Sequence, residues 1–88
     1  MKNIKFSIDG NKDMPIYNAV DVHPQTWNGW IRPIVTIKTA IKIAEDIFNK
    51  DDLEDNEPYD DIQDAIIEAK ENFEDTVEVG LGICWNYV

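Results

Sequence analysis

Asp60, Asp64, Glu68 and Glu71 stand four, four and three residues apart. On an α-helix that spacing puts side chains on one face, with residues four apart separated by ~6 Å along the axis. A row of carboxylates can do three kinds of chemistry. It can pair acids for hydrolysis, supply oxygen ligands to a divalent cation, or hold a line of negative charge against a cationic partner.

The first two uses make demands that the chain does not meet. A general acid and base need a cleft, and a chain of 88 residues holds one modest core but not a deep cavity besides. No catalytic residue is therefore expected. A calcium loop needs oxygen ligands at positions 1, 3 and 5, Gly at 6 and Glu at 12. Counting from Asp51 puts Leu53 third, Asn56 sixth and Ile62 twelfth; counting from Asp52 puts Glu57 sixth and Gln63 twelfth. Neither register works, so no metal site is expected. His23 stands before Pro24 with no second His or Cys nearby and reads as an exposed loop residue. Cys84 is the lone cysteine and reads as an inert, buried thiol inside a strand. It excludes an internal disulfide and a thiolate zinc site. The four glycines are scattered and make no phosphate loop. No cofactor is expected.

The third use fits the charge. The chain has 18 acidic and 8 basic side chains, a net charge of −10. Residues 1–44 hold three of the acids and six of the bases, whereas residues 45–78 hold fifteen acids with only Lys50 and Lys70. Such asymmetry points to a charged partner. Phosphate backbones and anionic membranes repel a surface of this sign, so neither nucleic acid nor lipid is expected to bind directly. A line of carboxylates instead imitates the charge of a nucleic-acid backbone and can occupy the Lys/Arg groove that normally receives it. The candidate partner-binding residues are Asp51, Asp52, Glu54, Asp55, Glu57, Asp60, Asp61, Asp64, Glu68 and Glu71, with Glu45 and Asp46 as extensions. The competing reading makes this face a solubilising one and gives the partner contact to Trp27 and Trp30 on the sheet.

Those residues need elements to position them. Ile4, Phe6 and Ile8 alternate as in a half-buried strand, and Ile16, Val20 and Val22 suggest a second. Trp27-Asn28-Gly29-Trp30 has the Asn-Gly pair of a type I′ turn, which sets the two tryptophans across from each other. A third strand follows through Trp30, Ile31, Ile34 and Val35, with Pro33 arguing for an edge position. Thr36 reads as the N-cap of a helix with the stripe Ile37, Ala40, Ile41, Ala44, Ile47 and Phe48. Pro58 opens a second helix with the stripe Ile62, Ala65, Ile66, Ala69 and Phe73. Val77, Val79, Leu81, Ile83, Trp85 and Tyr87 alternate as one long strand. The order β-β-β-α-α-β predicts a single α+β domain over residues 1–88, an antiparallel four-stranded sheet with two helices on one face.

Trp27-Asn28-Gly29-Trp30, then Pro33, then Thr36 opening a helix with Ala40, Ile43 and Ala44, resembles a pattern in small phage and mobile-element proteins. Ile83-Cys84-Trp85 is similar to the aromatic strand that closes some of them. Residues 45–78 depart from that pattern, with an acidic helix where a strand region is expected. The resemblance brings no catalytic residue. It implies an accessory protein of a phage or plasmid, similar in kind to inhibitors of host defence enzymes that bind DNA or RNA, such as anti-CRISPR and antirestriction proteins. The lone cysteine fits a reducing cytoplasm, in that setting the cytoplasm of a host bacterium.

Overall fold

The computed structural model describes residues 4–48, 57–80 and 83–88. Its elements run β1 (Ile4–Ile8), β2 (Tyr17–Ala19), β3 (Asp21–Val22), β4 (Pro33–Thr36), α1 (Ile37–Phe48), α2 (Glu57–Glu71), β5 (Thr76–Glu78) and β6 (Trp85–Tyr87). The fold is α+β and its strand pairs are antiparallel. In place of one four-stranded sheet there are two of three strands, ordered β2-β1-β6 and β3-β4-β5.

The split has a local cause at each end of the chain. The second predicted strand breaks at Val20, whose N–H donates to the Ile34 carbonyl at 2.8 Å, so β2 stays with β1 while β3 joins β4. Tyr17 and Ala19 turn into the core from β2, and Ile16, expected inside, is 46% exposed. The long final alternation divides as well. Val77 pairs with Val35 in one sheet, and Trp85 pairs with Ile8 in the other. Between them Gly80 crosses Arg32 so closely that a Cβ there would lie 2.9 Å from the Arg32 Cα. Only a residue without a side chain lets the backbones pass, and the chain changes sheets at that crossing. Val77, Val79 and Trp85 nevertheless all reach the same core.

Pro33 occupies the central strand of its sheet, not an edge. Proline is tolerated there because it is the first residue of β4. Its carbonyl accepts from the Val79 N–H at 3.0 Å, but it has no N–H to return to the Val79 carbonyl. That carbonyl is served by the indole N–H of Trp85 at 2.7 Å in the buried core. The Trp85 ring also meets Phe6 and Tyr17 edge-on, with centroids at 5.1 and 6.0 Å, the geometry that aromatic quadrupoles favour.

Thr36 caps α1, its Oγ1 accepting from the Thr39 N–H at 3.3 Å. Ala40, Ile43 and Ala44 form the buried stripe of α1; Ile43 takes the place expected for Ile41, which is at the surface. The side chains of Ile47 and Phe48 lie outside the described ones. On α2, Ile62, Ile66 and Ala69 are buried as expected, and Ala65 packs partly against them. The two helices pack on each other and on β4 and β5.

Phe73 leaves the predicted stripe. The Glu74 N–H donates to the Ala69 carbonyl at 2.8 Å and the Phe73 N–H to Lys70 at 3.2 Å, the paired bonds of a Schellman C-cap. This puts Phe73 at the left-handed position with φ 56° and leaves its ring 94% exposed.

Two substitutions probe this architecture. Trp85→Phe removes the partner of a buried carbonyl, so the urea midpoint should fall by an amount equivalent to about 1–3 kcal/mol. A variant that unfolds at the wild-type midpoint would refute that role. Phe73→Gly relieves a left-handed residue at an exposed cap, and the midpoint should rise by roughly 0.5–1 kcal/mol.

Candidate functional site

The outward face of α2 is set by which residues its inner face buries. Asp61, Asp64, Glu68 and Glu71 are all exposed. At 3.6 residues per turn they fall within roughly 80° of arc, opposite Ile62, Ile66 and Ala69, and extend over ~15 Å of axis. No ion pair with another described residue engages them. Lys70, the one base of α2, lies about a quarter turn or more to the side of this ridge. Ile67 is exposed among the same carboxylates.

The other acidic candidates separate from these four. Glu57 and Asp60 belong to the first turn of α2, with side chains outside the described ones. Asp51, Asp52, Glu54 and Asp55 lie outside the described residues. Asp46, read as an extension of the ridge, has a structural role instead. Its Oδ2 accepts from the Tyr17 hydroxyl at 2.5 Å and lies 3.9 Å from the Lys42 Nζ. Burial, helped by the adjacent Asp46 carboxylate, pushes the Tyr17 phenol well above its ordinary 10.0.

The tryptophan hairpin forms as its sequence predicts. Trp27 and Trp30 exchange backbone hydrogen bonds at 3.0 and 2.9 Å. Asn28 and Gly29 have φ of 53° and 83°, as a type I′ turn requires. The two rings differ in use: Trp30 is half-buried, whereas Trp27 is 55% exposed. The Ile31 N–H then donates to the Trp85 carbonyl at 3.1 Å and ties the hairpin to the core.

Trp27 borders an open depression of about 560 Å³ whose walls include Thr26, Arg32, Glu78, Gly80 and Asp61. The depression joins the hairpin to the first exposed carboxylate of the described ridge. Trp27 and Asp61 are 34 residues apart, and no local pattern in the sequence connects the two surfaces. Within the depression Arg32 forks onto Glu78, Nε to Oε1 at 2.9 Å and Nη2 to Oε2 at 3.2 Å. Oε1 is shielded from water and makes no well-aligned hydrogen bond, so its contact with Nε is electrostatic. His23, which hydrogen-bonds to the Arg32 backbone, is half-buried and not an exposed loop residue. Its backbone N–H donates to the Arg32 carbonyl at 3.0 Å, and its Nδ1 accepts from the Gln25 N–H at 3.1 Å.

Cys84 precedes β6 instead of lying inside a strand, and it is half-buried. Desolvation, then the Asp9 carboxylate, raises its thiol pKa, which disfavours the reactive thiolate. Among the described residues, no cluster of His, Cys, Asp and Glu is arranged to hold a metal ion, and no helix is long and apolar enough to cross a membrane. In comparison with known proteins, the chain matches no family model, no curated protein and no solved structure.

Tyr17→Phe tests the structural role of Asp46. Losing its hydrogen bond to Asp46 should cost about 0.5–1.5 kcal/mol near neutral pH. The unfolded phenol ionises near 10.0, while the folded one holds its proton to higher pH. Its contribution is therefore complete below pH 10 and is lost as pH rises above it. Urea midpoints measured from pH 7 to 11 should fall more steeply for wild type than for Tyr17→Phe at the alkaline end, and parallel curves would refute the assignment.

Proposed function

We propose that the protein is a non-enzymatic inhibitor that presents the outer face of α2 to a basic, nucleic-acid-binding surface of another protein. The observation behind this reading is the row Asp61, Asp64, Glu68 and Glu71, exposed together on a helix whose other face is locked in the core. Four carboxylates over ~15 Å make about one charge per 5 Å. One strand of DNA offers one per 3.4 Å along its axis. The ridge is thus of the same order in charge density, and rigid where a solvated tail is not. A fixed charge line loses little entropy on docking and speeds encounter with a cationic groove through long-range attraction. The acids at 51, 52, 54, 55, 57 and 60 belong to the same proposal through their place in the sequence. So does the resemblance to phage and mobile-element proteins, which supplies the setting: the cytoplasm of a host bacterium, and a target such as a defence nuclease.

A second reading, an interaction domain that meets its partner through the hairpin, is favoured by the exposure of Trp27. The two separate experimentally. Immobilised protein should capture nucleic-acid-binding proteins from a bacterial lysate, release them as salt is raised, and lose them to added double-stranded DNA. Changing Asp61, Asp64, Glu68 and Glu71 to Lys should abolish capture and leave the circular dichroism spectrum and unfolding cooperativity intact. Capture that withstands salt and the four substitutions but disappears in Trp27→Ala would establish the hairpin reading and end the first.

A further inference from the structure

The depression between hairpin and helix deepens the proposed function, and its role in binding rests on the α2 ridge being a docking face. Among the described residues, the charges that line it are Asp61, Glu78 and Arg32. Arg32 is committed to Glu78 by its two-point contact, which leaves the Asp61 carboxylate as the one uncompensated charge among these three. An anion would meet that carboxylate in a molecule already at −10. A neutral ligand would find one exposed ring to bury against. A cation finds both a carboxylate and an aromatic face.

The walls are also held in place before any partner arrives. The reciprocal Trp27–Trp30 hydrogen bonds fix the hairpin, and the Ile31 bond to Trp85 fixes its base. The crossing of Gly80 over Arg32 leaves no room for a side chain at the floor. The space, about 560 Å³, is within the range of side-chain and small-ligand sites. We infer that this depression receives an arginine side chain of the basic partner, its guanidinium plane against the indole of Trp27 and its N–H fork toward Asp61. Arginine is specified over lysine because the guanidinium is planar, weakly hydrated and stacks on aromatic rings, whereas the ammonium is a compact hydrated charge. The acidic ridge and the exposed tryptophan then belong to one interface: the ridge supplies attraction along its length, and the depression selects one side chain at its end.

The test uses the ¹⁵N-labelled full chain with hexa-arginine and hexa-lysine peptides, followed by amide and indole chemical shifts. Hexa-arginine should move the Trp27 indole N–H and the Gly80 amide together with the α2 amides, and bind roughly two- to fivefold tighter than hexa-lysine. Trp27→Ala, at an exposed position, should erase that preference by weakening hexa-arginine more than hexa-lysine. Equal affinity for the two peptides, or shifts confined to α2 with Trp27 unmoved, would overturn the arginine subsite and leave the ridge reading standing. No shift at either surface at low salt would overturn both.

Discussion

A carbonyl buried without a hydrogen bond costs about 1–3 kcal/mol, and Pro33 creates that situation at Val79 by having no N–H to offer. The indole of Trp85 answers it from the other sheet, at 2.7 Å. Two sheets that share no strand are thereby joined by a polar bond inside an apolar core, with Phe6 and Tyr17 set edge-on around the same ring. The bond is directional, so it fixes the rotation of the sheets as well as their proximity. Non-directional hydrophobic burial alone does not do this.

The surface elements take their positions from that joint. Ile31 bonds to the Trp85 backbone, so the hairpin bearing Trp27 is anchored one residue past its turn. Val79 leads directly to Gly80, whose crossing holds Arg32 beside Glu78. The helices pack against β4 and β5, on the sheet that contains both Pro33 and Val77. The outward direction of Asp61, Asp64, Glu68 and Glu71 therefore depends on the same buried contacts that place Trp27, and the depression between them is a product of the core.

Local patterns in the chain predict local features well. The type I′ turn at Asn28-Gly29, the Thr36 cap and the burial of Ile62, Ile66 and Ala69 each depend on residues close to one another in the chain. What sequence pattern misses is decided by distant partners. Val77 and Trp85 keep one unbroken alternation, yet they pair in different sheets because Arg32 passes under Gly80. Tyr17 goes inside in place of Ile16 because the Asp46 carboxylate, 29 residues away, receives its hydroxyl. Phe73 completes the apolar spacing of α2 and still faces solvent, because a backbone cap ends the helix before it. Half of the candidate site, the ridge, was legible as a charge pattern on a helical period. The depression was not, since it arises only when residues 25–32 are brought against α2 and the end of β5.

The carboxylates of α2 also contradict what helix stability alone would select. Asp64 and Glu68 stand four apart and Glu68 and Glu71 three apart, like-charge spacings that cost a helix about 0.2–0.5 kcal/mol each. Glu68 and Glu71 lie toward the negative end of the helix dipole, where cations are favoured, and Lys70 is the only basic residue in the last turn. Just beyond, an aromatic residue occupies a left-handed cap position that glycine fills at lower strain. A face meant only for solubility can intersperse charges of both signs, which would remove the repulsion without exposing more apolar surface. Departures from local optimality concentrate where a surface serves something other than folding. Here they accumulate on the exposed face and C-terminal cap of one helix, while its buried face keeps the apolar spacing that packing requires.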